Sequence, residues 1–136
     1  MAAQEYKINE DLIVFYIQAE TFPEGIPDTF IKMENLLGSL KDRHVYGVTA
    51  CIDDKLVYRA CVKENFKGEG DQYRLPTYAI PKGEYLYVTL PNWRENLAEI
   101  PVLFDQLMAL PYVKKQSICL EDYTSPDKML AMVQKA

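Results

Sequence analysis

Apolar residues in this chain fall into short runs and two helical stripes. The run Leu12 to Ile17 is β-branched and aromatic, and it is too continuous for a strand with one wet face, so it predicts a central strand over residues 11–19. Similar runs predict further strands over 45–52, 57–62, 78–90, 116–124 and 128–134. Polar residues 53–55 predict a hairpin turn, and Pro81 with Gly83 predicts a bulge or an edge at the start of 78–90.

The two stripes share one pattern. Ile-Pro-x-x-Phe-x-x-(Met/Leu) begins at Ile26 and again at Ile100, 74 positions later. Proline suits the first helical turn, where its missing N–H has no intrahelical partner, so helices are predicted over 27–40 and 100–110. The first helix is expected to turn these residues towards the core: Phe30, Met33, Leu36, Leu37 and Leu40.

The repeat extends beyond the helices. Glu10-x-Leu12-x-Val14 recurs as Glu84-x-Leu86-x-Val88 at the same offset, so each half is predicted to be strand–helix–strand–strand. We predict one α+β domain over 1–136 of duplicated βαββ units, with two helices on one face of a largely antiparallel sheet and a groove between them. The halves span about 6–64 and 72–136, and the charged, glycine-containing segment 65–71 is the expected joint.

Composition narrows the classes of partner. The chain has 136 residues, a formal net charge of −5 and 26% charged residues, which argues against a dedicated nucleic-acid binder because phosphates need a basic surface. No apolar run approaches the ~20 residues of a membrane span. Three cysteines without a CxxC pair and a polar start without a signal-peptide pattern lead us to expect a cytoplasmic protein with reduced thiols.

Several short motifs together resemble the GyrI-like small-molecule-binding family. The family includes the gyrase-inhibitory protein and the effector-binding domains of MerR-type and AraC-type multidrug regulators. The carriers are the βαββ duplication and four stretches, namely Ile80 to Tyr85, Ile100-Pro101-x-x-Phe104, Tyr46-Gly47-Val48 and Leu120-Glu121-Asp122-Tyr123.

The resemblance implies a pocket between the helices, lined by aromatic residues, where one buried glutamate engages cationic, lipophilic molecules. By match to the family's hydrophobic-Glu-x-Tyr strand, that glutamate is Glu121 and its companion is Tyr123. The chain has no room for the helix-turn-helix domain of the regulators, so direct nucleic-acid binding is not expected.

Glu121 also stands out on its own, because it follows the apolar run Ile118-Cys119-Leu120. A buried carboxylate without a partner is costly, and it either raises its pKa or recruits a cation. The alternative is a solvent-facing residue at a strand end, paired with a lysine.

The aromatic residues supply the candidate walls. Tyrosines on strands combine a stacking surface with a hydroxyl, and Trp93 lies in the loop that enters the second helix, where a pocket rim is expected. Ordinary cross-strand packing is the alternative for each tyrosine, and core packing is the alternative for the one thiol in the set. The predicted ligand-binding residues are Glu121, Tyr123, Tyr46, Trp93, Tyr16, Tyr58 and Cys51.

Catalysis has weaker support. His44 is the only histidine, so a metal site of several histidines is excluded, and we expect no metal and no cofactor. The main hypothesis is a binding protein for sensing or sequestration. One alternative is a hydrolase of small electrophilic compounds that uses Glu121 as general base, and another is a protein-interaction inhibitor. A protein partner or a homodimer stays open.

Overall fold

The computed structural model describes residues 2–136, and Met1 lies outside the described part of the chain. It is an α+β fold with eight strands. Their bounds are β1 Gln4–Ile8, β2 Leu12–Gln18, β3 Val45–Ile52, β4 Lys55–Lys63, β5 Thr77–Ile80, β6 Gly83–Pro91, β7 Cys119–Asp122 and β8 Lys128–Gln134. The helices are α1 Ile26–Leu37, α2 Glu69–Gln72 and α3 Glu99–Met108, and a 3-10 turn covers Trp93–Glu95. No helix in residues 2–136 is long and apolar enough to cross a membrane.

All strands join one antiparallel sheet in the order β1-β6-β8-β7-β3-β4-β2-β5. The two edge strands are β1 and β5, yet each is joined by a short link to a strand near the opposite edge. The sheet therefore has to curl, and its edges approach each other. This order places one βαββ set on each side of the β7–β3 pair, while the internal duplication itself stays a prediction.

Two strand predictions were wrong. The single strand over 78–90 is two strands, because Gly83 has φ 139° and the preceding Pro81 has no N–H for a ladder. β5 then pairs with β2, and β6 pairs with β1 and β8. β1 was missed altogether, because Gln4 to Lys7 is exposed and its polar sequence carries no apolar run.

Helices α1 and α3 each pack apolar side chains against residues of the sheet. Met33 of α1 packs with Phe15 and Val62, and Phe104 and Leu107 of α3 pack in a second cluster with residues of β6 and β8. Two details of α1 differ from expectation. The helix ends at Leu37, because Gly38 has φ 82°, and Leu36 is 43% exposed because Thr29 and Met33 carry the buried stripe.

The inside of the curl forms the third cluster. Alternate residues of the same strands point there, as Val14 does beside Phe15 in β2. The buried members are Ile8, Val14, Tyr46, Val48, Cys61, Ile80, Tyr85, Ile118, Leu120 and Met132. Both faces of the sheet are therefore packed, which explains the continuous apolar runs in the sequence.

The segment 65–71, which is the expected joint between the halves, is packed against the fold. Glu69 is 4% exposed and forms an ion pair with Arg43, and Glu64 Oε2 accepts a hydrogen bond from the Gly70 N–H at 2.8 Å. A Cβ at Gly70 would lie 2.9 Å from Phe15 Cβ, so the backbone approaches the sheet closely here. Glycine in this segment serves packing and not flexibility.

Candidate functional site

A groove of about 1340 Å³ lies between α1 and α3, with strands β3, β4 and β7 as its floor. One side carries residues of α1 and the loop before it, and the other carries residues of α3 and the 3-10 turn. The apolar and aromatic lining includes Phe22, Ile26, Phe30, Tyr58, Trp93, Leu97, Ile100, Phe104 and Tyr123. A concave, mostly apolar site with few polar groups is the usual form of a small-molecule site.

Glu121 is the carboxylate at the floor of this groove, and it is only 8% exposed. Its Oε1 accepts a hydrogen bond from the Tyr58 hydroxyl at 2.6 Å and another from the Tyr123 hydroxyl at 2.7 Å. Oε2 accepts no hydrogen bond from residues 2–136, and no cationic side chain of those residues forms an ion pair with Glu121. The two tyrosines thus hold one carboxylate oxygen in place, and the other has no hydrogen bond within the described residues.

A glycine makes room for this arrangement. Gly47 of β3 is the register partner of Glu121 in β7. A Cβ at Gly47 would collide with Glu121 Oε1 and with the Tyr58 hydroxyl oxygen. The space that a side chain would fill at Gly47 therefore holds the hydrogen bond between Tyr58 and Glu121.

Burial governs the protonation of the cluster. Desolvation raises the pKa of Glu121 above its usual value, and the two tyrosine hydrogen bonds oppose that shift because they stabilise the ionised form. The pKa of Tyr58 and that of Tyr123 are also raised, first by burial and then by the neighbouring carboxylate, so both hydroxyls stay protonated donors. Loss of the proton from Glu121 thus becomes favourable when a cation approaches.

Aromatic rings surround the carboxylate. Phe30 of α1 meets Tyr58 and Tyr123 edge-on, with ring centroids 6.1 Å apart in both pairs. Trp93 packs on Tyr123 with centroids 4.8 Å apart, and Phe22 packs on Tyr58 at 5.9 Å. Ring faces and edges of this kind attract organic cations as well as apolar groups.

The arginines that line the groove are engaged elsewhere. Arg43 forms its ion pair with Glu69, and Arg94 donates a hydrogen bond to the Pro126 carbonyl at 2.8 Å while its guanidinium lies 4.5 Å from the Trp93 ring centroid. The Trp93 indole Nε1 is buried and has no hydrogen-bond partner in residues 2–136. Glu121 is thus left without a counter-ion from this side of the groove.

Four of the seven predicted ligand-binding residues meet in the groove, and three do not. Glu121, Tyr123, Tyr58 and Trp93 line it. Tyr46 and Tyr16 point to the inside of the curl, because they occupy the alternate positions of β3 and β2, so their predicted place in the groove was wrong. Cys51 is exposed near the tip of the β3–β4 hairpin and does not line the groove.

Sequence reasoning missed the contribution of the helices. Phe30 and Phe104 were expected to hold the helices to the sheet, yet both also line the groove. Phe22 precedes α1 in a loop that gave no periodic signal. The phenylalanine that recurs in the Ile-Pro-x-x-Phe pattern was the available signal for Phe30 and Phe104.

Metal chemistry has no support in the described residues. No group of three or more His, Cys, Asp or Glu side chains in residues 2–136 is placed to hold a metal ion. His44 is exposed at the margin of the groove. The thiol of Cys119, which also lines the groove, has a pKa raised to about 11 by burial, so it is not a thiolate at neutral pH.

Known proteins that match this chain were found by similarity of structure and not by similarity of sequence. No family model and no curated protein matches the sequence. Solved structures that match include an integron cassette protein from Vibrio cholerae, which is 14% identical with a TM-score of 0.68, where 98% of this chain and 95% of that chain are covered.

Two further solved structures also have a similar fold at low sequence identity. A proposed bacterial transcription regulation protein from Staphylococcus aureus is 14% identical with a TM-score of 0.61, covering 98% of this chain and 99% of that chain. SAV2435 bound to tetraphenylphosphonium is 12% identical with a TM-score of 0.63, covering 98% and 94%. At these identities the likeness shows that the chain shares a fold with the three proteins.

Proposed function

We propose that the protein binds a lipophilic organic cation in the groove between α1 and α3, as a sensing or sequestering protein. The observation that carries the proposal is the Glu121 carboxylate, which is buried among aromatic rings and, within residues 2–136, accepts hydrogen bonds only from two tyrosine hydroxyls. An ionised carboxylate in such a place is costly unless a positive charge joins it. A cation with apolar substituents satisfies both the charge and the aromatic lining.

The charge and the lining act on different parts of the ligand. Glu121 attracts the cationic centre. This electrostatic attraction becomes stronger as the ligand expels water from the groove. The apolar substituents of the ligand contact the rings of Phe30, Trp93 and Tyr123. These contacts contribute affinity and depend little on the orientation of the ligand. The groove therefore favours a class of cations over one particular molecule.

Membership of the GyrI-like family and duplication of the βαββ unit are part of the same proposal. The fold shared with SAV2435 bound to tetraphenylphosphonium supports the choice of that cation as a first probe. The placement of one βαββ set on each side of the β7–β3 pair supports the duplication.

The test compares two probes of nearly identical shape and opposite charge. Tetraphenylphosphonium and tetraphenylborate should be titrated into the protein by calorimetry at neutral pH. We expect the cation to bind and the anion to bind at least tenfold more weakly. In Glu121→Gln, which keeps the size of the side chain and removes its charge, the preference for the cation should largely disappear.

A surface change provides the matched control. Glu24→Gln makes the same chemical change at an exposed residue that does not line the groove, so it should leave both affinities as in the parent. Equal binding of the two probes by the parent, or an unchanged cation affinity in Glu121→Gln, would show that the proposed anchor is wrong.

A hydrolase of small electrophilic compounds is the second candidate. It is favoured by the unoccupied Oε2 of Glu121 beside two tyrosine O–H groups, because a desolvated carboxylate of raised pKa can act as a general base. Turnover of an epoxide or an activated ester that disappears in Glu121→Gln would support this candidate. Binding of cations without any turnover would favour the binding protein.

A further inference from the structure

A second cavity, of about 670 Å³, opens inside the curl of the sheet, on the face opposite the groove. It lies where β1, β4, β6 and β7 end and where β2, β3 and β8 begin. Its lining is Tyr6, Lys7, Ile8, Asn9, Glu10, Leu12, His44, Tyr46, Lys63, Tyr87, Thr89, Asp122, Thr124, Lys128 and Leu130. The mouth of a curled or closed sheet is a frequent place for a ligand.

At the end of the curl away from this cavity, an arginine packs on two tyrosine rings. The Arg59 guanidinium lies 4.4 Å from the Tyr16 ring centroid and 5.4 Å from the Tyr78 ring centroid. Between that end and the cavity lie the buried apolar residues of the inner core, such as Val48 and Leu120. The cavity is therefore a pocket with a packed bottom and is not a channel.

The floor of the pocket carries a second buried carboxylate. Asp122 and Tyr46 are register partners in the β3–β7 pair, and they are 8% and 5% exposed. Asp122 Oδ1 accepts the Thr124 N–H at 2.9 Å, and Asp122 forms no ion pair within residues 2–136. The Tyr46 hydroxyl has no hydrogen bond from those residues, so it is available to a ligand beside the carboxylate.

The rim carries the opposite charge. Lys7, Lys63 and Lys128 line the cavity and are exposed, and none of them forms an ion pair within residues 2–136. Between floor and rim the walls are aromatic and aliphatic, with Tyr6 and Tyr87 edge-to-face at a centroid distance of 6.1 Å. Glu10 is also exposed in the lining, so the rim has an excess of positive charge, while the floor holds the buried Asp122 carboxylate.

We propose that this pocket is a second ligand site, for a bipolar organic molecule with an ammonium group at one end and a carboxylate at the other. The ammonium group meets Asp122 and the Tyr46 hydroxyl, and the carboxylate meets the lysines of the rim. The body between the two charges is apolar and flat enough to lie against Tyr87. A ligand with one charge alone would leave either the buried carboxylate or the basic rim without a partner.

Strand geometry separates this site from the groove. Glu121 and Asp122 are neighbours in β7, so their side chains point to opposite faces of the sheet. The two cavities therefore take different ligands, and failure of one proposal leaves the other standing.

The test uses three matched probes: 4-(aminomethyl)benzoate, benzylamine and benzoate. Each is titrated into ¹⁵N-labelled protein and followed by amide chemical shifts. We expect the bipolar probe to bind at least tenfold more tightly than either single-charge probe, with shifts centred on Tyr46, Tyr87 and Asp122. Asp122→Asn should weaken the bipolar probe about tenfold or more, while Asp54→Asn, the same change at an exposed turn residue, should not.

A second variant keeps the test decisive if Asp122→Asn does not fold. Thr89→Trp fills the mouth from an exposed strand position and should abolish binding of the bipolar probe. Three results would overturn the proposal: benzylamine or benzoate binding as tightly as the bipolar probe, unchanged binding by Thr89→Trp, or shifts confined to groove residues such as the Trp93 indole.

Discussion

Gly47 and Glu121 face each other across the β3–β7 pair. Because Gly47 has no side chain, the Glu121 carboxylate occupies the space beside it. The Tyr58 hydroxyl fills the remaining space and donates to the same carboxylate oxygen at 2.6 Å. An anchor carboxylate on one strand thus depends on a glycine on the next. The relationship explains why the two central strands differ at corresponding positions, with Gly47 in one and Glu121 in the other.

Gly47→Ala should therefore damage both stability and binding. The added methyl group has to displace Tyr58 or Glu121, and overpacking of this kind costs about 1–3 kcal/mol. Urea unfolding should show the loss, and the affinity for tetraphenylphosphonium should fall with it. Gly47→Ala combined with Tyr58→Phe should recover part of the stability, because the hydroxyl is one of the two colliding groups. Parent-like stability and affinity in Gly47→Ala would contradict the geometry.

The hydroxyls of Tyr58 and Tyr123 should modulate cation affinity through Glu121, whose carboxylate supplies the charge that attracts the cation. Tyr58→Phe and Tyr123→Phe each remove one donor to Oε1, which raises the pKa of Glu121 further because both hydrogen bonds favour its ionised form. Each variant should weaken binding of the cation by about 1.5 kcal/mol, roughly tenfold, which is the lower end expected for one hydrogen bond to a charged group.

Tyr46→Phe is the matched control for these two variants. Tyr46 also lies on a central strand, but it points to the inside of the curl. Its loss of a hydroxyl should leave the affinity for tetraphenylphosphonium unchanged. A Tyr46 effect as large as that of Tyr58 would mean that the groove is not the cation site.

Cation binding should depend on pH in a defined direction. Burial raises the pKa of Glu121, so the unliganded protein holds a proton there over a wider pH range than an exposed glutamate does. A cation binds the ionised form, so affinity should rise with pH through that pKa and then level off. Calorimetry in buffers of different ionisation enthalpy should detect proton release on binding in the rising part of the profile.

The same shift has a consequence for stability without ligand. A raised carboxyl pKa means that the protonated form is favoured in the folded state, so this contribution is present at low pH and is lost as the pH rises through the folded-state value. Glu121→Gln should therefore be at least as stable as the parent at neutral pH while it binds the cation less well. Melting temperatures across pH 4–8 check this, and a uniformly less stable Glu121→Gln would contradict it.

The sequence predicted structure best where a residue type has one strong structural preference. Pro27 and Pro101 mark the starts of two helices, and an acidic residue that follows Ile118-Cys119-Leu120 indicates a buried carboxylate. The apolar run alone left a solvent-facing strand end open for Glu121, and the choice of Glu121 and Tyr123 as groove residues rested on the resemblance to the GyrI-like family.

Periodicity alone could not assign the tyrosines to a face. In a curled sheet both faces are buried, so the alternation of polar and apolar residues that would distinguish Tyr46 from Tyr58 is absent. β1 and the division of 78–90 were missed for a related reason, since edge strands are fixed by long-range pairing and not by local pattern. The second cavity follows from that pairing and had no signal in the sequence.

The pair of Arg43 and Glu69 gives a prediction about folding. The Arg43 Nη1 and Nη2 atoms donate to the two carboxylate oxygens of Glu69 at 3.0 and 2.8 Å, and the Asn65 N–H donates to one of these oxygens at 2.8 Å. The two side chains are 13% and 5% exposed. Removing one member of such a pair leaves a buried charge without a partner, so Glu69→Gln should cost about 3 kcal/mol or more in urea unfolding.

The pH dependence and a double variant separate this contact from simple packing. Arg43 lowers the pKa of Glu69, so the stabilisation is complete above the ordinary glutamate pKa and is lost as the pH falls through the lowered value. Glu69→Gln should therefore lose less relative to the parent in acid than at neutral pH. Arg43→Met combined with Glu69→Leu should recover most of the neutral-pH loss, because no charge is then left buried. If segment 65–71 were only loosely attached to the rest of the fold, Glu69→Gln would unfold at the parent's urea concentration.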